Sequence, residues 1–188
     1  MKKIIYLLIF TFLLMPFVVK AEELDNNSDL EENENIEENI EEILSNKLCN
    51  DSNGNKYNCL VPEVDKDKKI YDYADLLTSE EEEKIYKIVD NYIESSKMDL
   101  VIVTINENPY GISDYYTQIY AQDFYYYNDF GIGNTKDGLI ILIDMANRYP
   151  YIATKGNAIL MYDDERIKSI HENAHNYLSS GNYYSAIE

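Results

Sequence analysis

The chain has 188 residues, with 16 Lys and Arg against 35 Asp and Glu, a net charge of −19, and 19 Tyr but no Trp. That length accommodates one domain with a real core plus appendages. A chain this acidic repels phosphate backbones, which excludes nucleic acid as a partner and favours divalent cations, basic partners or plain solubility.

The N-terminus reads as an export signal. Lys2 and Lys3 precede an apolar run from Ile4 to Val19 that is broken only by Thr11 and Pro16. Val19 and Ala21 supply the small residues that signal peptidase needs. Residues 1–21 are expected to be a signal peptide. A retained anchor is the rival reading, because the run is slightly short of a span. Both place the remainder outside the cell, extracellular or at the cell surface, with any membrane association made through the N-terminus. Cleavage would remove the three positive charges of Lys2, Lys3 and Lys20 and take the net charge from −19 to −22.

Residues 22–61 are expected to form an acidic, largely disordered stalk. Eleven acidic residues and no basic one lie between Glu22 and Glu42, a block that solvates rather than packs. Ile36, Ile40, Ile43 and Leu44 recur at helical spacing, which leaves open a helix formed against a partner. Cys49 and Cys59 bracket a short polar loop. In an exported chain their default is a disulfide, worth about 3 kcal/mol for a loop of this size. Asp51, Asn53 and Asn55 begin like a calcium loop, but Lys56 stands where that pattern needs Gly and Pro62 where it needs Glu.

A folded domain is expected over 62–188. A short extended segment leads into Thr78-x-x-Glu81, a capping box, after which Ile85, Ile88, Val89, Tyr92 and Ile93 fall on one helical face. Leu100 to Ile105 is a β-branched apolar run and predicts a buried strand. Ser113 then caps a helix carrying Ile112, Tyr116, Ile119, Tyr120 and Phe124. Its tyrosines read as Phe substitutes on half-buried positions, with a carbohydrate or protein platform as the alternative. Gly131 and Gly133 follow a helix and precede a strand, the reverse of a dinucleotide fingerprint, so they mark a turn that places Asp137 at a strand entrance. The strand 138–144 and a further strand 148–154 are joined by Met145, Ala146 and Asn147, which favours an antiparallel hairpin. Asp163 or Asp164 caps a last helix, 164–179, that ends at Gly181. This alternation predicts an α/β fold: an α/β/α sandwich with a central mixed sheet of about four strands and helices on both faces.

Two constellations carry candidate chemistry. Asp72, Asp137, Asp163 and Asp164 stand at element edges. If the sheet ends bring them together, their hard oxygen donors suit Ca²⁺ or Mg²⁺, whereas taken singly they serve as ordinary caps and turns. The stretch His171-Glu172-Asn173-Ala174-His175 fits the H-E-x-x-H pattern of zinc proteases. The continuation that would supply a third ligand is missing, since Leu178 and Gly181 stand where it needs Gly and His. A histidine pair beside the buried stripe Ile167, Ile170, Ala174 and Leu178 is the alternative.

Residues 63–188 also resemble a TPM domain of the exported, bacterial type. "IYDYADLLTSEEEEKI", "DLVIVTI", "DFGIGNTKDGLIILID", "YIATKGNAILMYDDERI" and "LSSGNYYSAI" are similar, in order, to that family's successive blocks. The resemblance implies an α/β/α sandwich, export and an envelope setting. It implies that Asp72, Asp137, Asp163 and Asp164 line an acidic rim that takes a divalent cation, Ca²⁺ or Mg²⁺. It also implies a metal-assisted phosphatase activity of the kind assigned to some plant members, acting on a phosphorylated small molecule. The alternatives are a non-enzymatic envelope adaptor that binds a protein partner and a zinc metalloprotease working through His171 and His175. Phe130 stands where the family often has Trp, and Lys136-Asp137-Gly138 replaces its Asp-Asn-Gly.

Overall fold

A computed structural model describes residues 48–50 and 53–188. The expected signal segment 1–21 and the acidic stretch 22–47 lie outside the described residues.

The described chain opens with a hairpin of β1 (Leu48–Asn50) and β2 (Lys56–Asn58), closed by a disulfide between Cys49 and Cys59. The elements of the main sheet and its helices follow. They are β3 (Ile70–Asp72), α1 (Ser79–Ser96), β4 (Asp99–Ile105), α2 (Asp114–Tyr127), β5 (Gly138–Asp144), β6 (Tyr149–Lys155), α3 (Ala158–Met161), α4 (Asp164–Ser180) and α5 (Tyr183–Ile187). The sheet order is β3-β4-β5-β6, with β3, β4 and β5 parallel and β6 antiparallel to β5.

The local causes are those the residues announce. Thr78 and Glu81 form the capping box of α1, with the Thr78 N–H donating to Glu81 Oε2 at 2.8 Å and the Glu81 N–H donating to Thr78 Oγ1 at 3.3 Å. Strand β4 is buried over its whole length, as its continuous apolar run requires. Gly181 ends α4 in the left-handed conformation, at φ 75°.

The pleat sorts the strands onto two faces. Ile70, Leu100, Ile102, Leu139 and Ile152 meet Ile85 and Val89 of α1, with Ile167 and Ile170 of α4 and Tyr183, Tyr184 and Ile187 of α5 packed around them. Val101, Val103, Ile140 and Leu142 meet Tyr120, Ala121, Phe124 and Tyr125 of α2. The molecule is therefore an α/β/α sandwich. One consequence is topological. Both parallel connections step the same way across the sheet, yet α1 and α2 lie on opposite faces, so the two crossovers have opposite hands. One of them departs from the strong right-handed rule.

The hairpin packs onto the domain expected from Pro62 onward. Cys49, Cys59 and Val61 are buried within the cluster under α2. The Val64 N–H donates to Asn128 Oδ1 at 3.0 Å, and Asn128 Nδ2 donates to the Pro62 carbonyl at 3.0 Å. Polar composition hid this segment because its few apolar side chains are spread through a loop-rich stretch and find their core only across the chain. The short helix α3 was also not expected from the sequence.

Candidate functional site

In open α/β sheets a crevice forms outside the carboxyl ends of neighbouring strands whose connections leave toward opposite faces. Here that place is the end of β3 and β4, with β5 beside them. The Asp72 carboxylate, at the end of β3, accepts from the Leu76 N–H at 3.1 Å and the Leu77 N–H at 2.8 Å, and from the Thr104 hydroxyl of β4. Thr104 Oγ1 in turn accepts from the Ala74 N–H at 3.0 Å. Asp72 thus locks the turn that carries the chain from β3 into α1.

Asp144, at the end of β5, is fully buried and fully engaged. Asn108 Nδ2 and Asn147 Nδ2 each donate to its Oδ2 at 2.8 Å, the Thr117 hydroxyl donates to the same oxygen at 2.7 Å, and the Asn147 N–H donates to Oδ1 at 3.0 Å. A buried carboxylate is tolerable only with such a set of donors. Beside these carboxylates lies an open cavity of about 340 Å³, lined by Pro62, Tyr73, Ile105, Asn106, Glu107 and Tyr120. Tyr73 is exposed there and Tyr120 is buried against Phe124, while Asn106 brings an amide and Glu107 is the carboxylate among the lining residues.

The structure distributes the four sequence-derived aspartates over two ends of the sheet. Asp72 is at the carboxyl end of the parallel strands, paired in register with Thr104. Asp137 precedes Gly138, which pairs with Asp99 at the amino end. A strand as long as β5 separates these ends by about 20 Å. Asp137 accepts from the Asn157 N–H at 2.8 Å and from Asn157 Nδ2 at 2.7 Å, and the backbone bond from Asn157 leads the effects that hold its pKa below the usual carboxylate range. Gly156, at φ 63°, makes this approach possible, since a Cβ there would press on the Asp137 side chain and lie 2.6 Å from the Thr135 carbonyl oxygen. Asp163 caps α4 by accepting from the Arg166 N–H at 2.9 Å, and Asp164 occupies the first turn of that helix. Among the described residues no group of three or more His, Cys, Asp or Glu side chains is placed to hold a metal ion.

A second concavity, of about 700 Å³, runs between the edge strand β6 and α4. Asp164, Ile167, His171, His175 and Leu178 recur along it at helical spacing, facing Arg148, Tyr149 and Tyr151 of the hairpin. His171 is half-buried, and burial pushes its pKa below the usual histidine range. So Asp164, His171 and His175 share one groove, which Asp72 and Asp137 do not line.

The sequence held signals for the groups it did not single out. Asn106 and Glu107 follow directly on the apolar run of β4, and Asp144 ends the apolar run of β5. A polar residue at the carboxyl end of a buried strand is where such folds place ligand-facing groups.

Residues 70–188 match the TPM domain family. The chain belongs to that family. The TPM domain is 32% identical over 120 residues to UPF0603 protein YdjH of Bacillus subtilis (strain 168), a match that covers 63% of this chain and 43% of that protein. The match thus spans less than half the length of that relative. The solution structure of the N-terminal domain of a P. gingivalis protein aligns with a TM-score of 0.53 at 18% identity, over 65% of this chain and 76% of that one. That likeness bears on the fold alone. The N-terminal domain of a Corynebacterium glutamicum protein aligns at 17% identity with a TM-score of 0.49, over 69% of this chain and 78% of that one.

Proposed function

We propose that the chain is an exported TPM domain that works by binding rather than turnover, as an envelope adaptor that seats a basic segment of a protein partner in the carboxyl-end crevice. The observation that carries this reading is how the carboxylates there are used. Asp72 and Asp144 spend their oxygens on internal donors, while the open cavity is lined by the exposed Tyr73 with Asn106 and Glu107. A tyrosine face beside a carboxylate recognises a lysine or arginine head by cation–π contact and a charge-assisted hydrogen bond. The net charge of −19 steers basic partners toward it. Export is supported by the leader-like N-terminus and agrees with the disulfide between Cys49 and Cys59. Among the described residues no helix is long and apolar enough to cross a membrane.

The metal-assisted phosphatase remains as a second reading, favoured by the location of Asp72, Glu107 and Asp144 at the ends of three adjacent strands. One pair of titrations separates the two. Short arginine and lysine peptides added to the full chain are expected to perturb Tyr73 and to lose affinity in Tyr73→Ala and Glu107→Gln. Stoichiometric Ca²⁺ or Mg²⁺ with phosphate-ester turnover, and no response to the peptides, would replace the adaptor by the phosphatase.

A further inference from the structure

The chain contains two histidines, and both sit on α4. Their spacing places them one above the other on a single face of the helix. That face is turned to the groove along β6, and both side chains line it. Two imidazoles one turn apart are the arrangement by which a helix chelates a borderline divalent ion, and imidazole nitrogen is the donor such ions prefer.

The surroundings suit this use. His171 is half-buried in the groove and His175 is exposed at it. Asp164 and Glu172 bring negative charge to the groove, and Arg148 and Lys168 stand as its cations. Among the described residues no hydrogen bond engages either imidazole. The arrangement differs from a zinc protease in one decisive respect: among the described residues no third protein ligand joins the pair. A tetrahedral ion held by two imidazoles keeps its other positions for water or for a guest.

We infer that His171 and His175 form a bis-histidine clip for a borderline divalent transition-metal ion, Zn²⁺ or Ni²⁺, whose remaining coordination positions face the groove between α4 and β6. A guest carrying a carboxylate or an imidazole completes the shell there. The groove shares no lining residue with the open cavity at the carboxyl end, and the clip stands whether or not that cavity binds a partner.

The test uses the full chain and zinc chloride or nickel chloride alone. Calorimetry is expected to show one ion per chain, with affinity falling at least about tenfold in His171→Ala and in His175→Ala, because each removes one of the two protein ligands. Unchanged melting temperatures in the metal-free variants would show that the loss is one of ligation. The unmodified chain gives a second reading that needs no variant. With only two histidines, their ring signals in a nuclear magnetic resonance titration are expected to shift together and to saturate at one equivalent. No binding, binding that moves only one ring, or affinity retained in both variants would overturn the clip.

Discussion

At the scale of single residues, the polar groups that matter here act mostly as internal clamps. Asp123 of α2 is buried, and the Tyr57 hydroxyl donates to it at 2.5 Å while the Tyr110 hydroxyl donates to its other oxygen. Tyr110 Oη also accepts from the Leu60 N–H at 2.8 Å, so the trio ties the hairpin side of the chain to α2. Burial raises the Asp123 pKa and outweighs the two tyrosine hydroxyls, which lower it. The sign follows by linkage. A carboxyl raised above its unfolded value of about 3.9 contributes stability that is fully present below that value and is lost as pH rises through the folded value. Denaturant melts of the wild type and Asp123→Asn across pH are therefore expected to show the wild type's relative stability shrinking as pH rises from acid to neutral. A difference that stays constant over this range would contradict it. Lys69 and Asp99 make the comparable clamp at the amino end, with Lys69 Nζ at 3.0 Å from Asp99 Oδ1 and the Gly131 N–H donating to Asp99 Oδ2 at 2.9 Å. The two side chains are 18% and 5% exposed, so this pair is mostly shielded from water. Lys69→Met would strand the Asp99 charge and is expected to cost roughly 3 kcal/mol in urea melts, the low end for removing one partner of a buried pair. A loss near zero would mean that water reaches Asp99.

At the scale of elements, the β1–β2 hairpin changes how the domain is understood. It supplies Cys49, Cys59 and Val61 to the core under α2, and Pro62 just after it forms one wall of the crevice. The disulfide closes a separation of 10 residues. The paired Cys49→Ser and Cys59→Ser variant is expected to lose about 3 kcal/mol through the unfolded chain alone. It places two hydroxyls in an apolar cluster as well, so the measured loss in a thermal melt should exceed that figure. Protease sensitivity at native temperatures is expected to rise in the hairpin, with β4 and β5 still protected. Equal loss of protection throughout would show that the hairpin folds only with the sheet. Helix α4 is the opposite case. None of its residues is fully buried: Ile167 and Ile170 pack only partly against the core, and its apolar stripe also lines the open groove. A helix held this loosely belongs to the low-stability end of a domain, where binding surfaces are commonly drawn from.

At the scale of the whole molecule, chain order and burial periodicity were written in local sequence. The capping box at Thr78, the continuous apolar runs of β4 and β5, the short turn before β6 and the glycine after α4 each act over a few residues, and each names its own element. The mixed sheet and its helices on both faces follow from that alternation, and the resemblance to TPM domains carried the same order of blocks. The hand of the two crossovers, by contrast, was not legible. Nothing within a strand or a helix records which face its neighbour's connection takes. The parallel pairing of β3, β4 and β5 placed Asp72, which ends a strand, and Asp137, which precedes one, at opposite ends of the sheet, although the sequence shows both simply as aspartates at element edges.

The sequence by itself determined the elements, the acidity, the cysteine pair and the spacing of His171 and His175, because each depends on neighbours along the chain. Tertiary structure decided which carboxylates are free and which are spent. It gave Asp72 to a turn, Asp144 to a buried ring of donors and Asp137 to Asn157, since a hydrogen bond across the fold depends on distances that only packing sets. It also turned both histidines toward one groove, because a helix fixes their common face while the sheet it packs on fixes where that face looks.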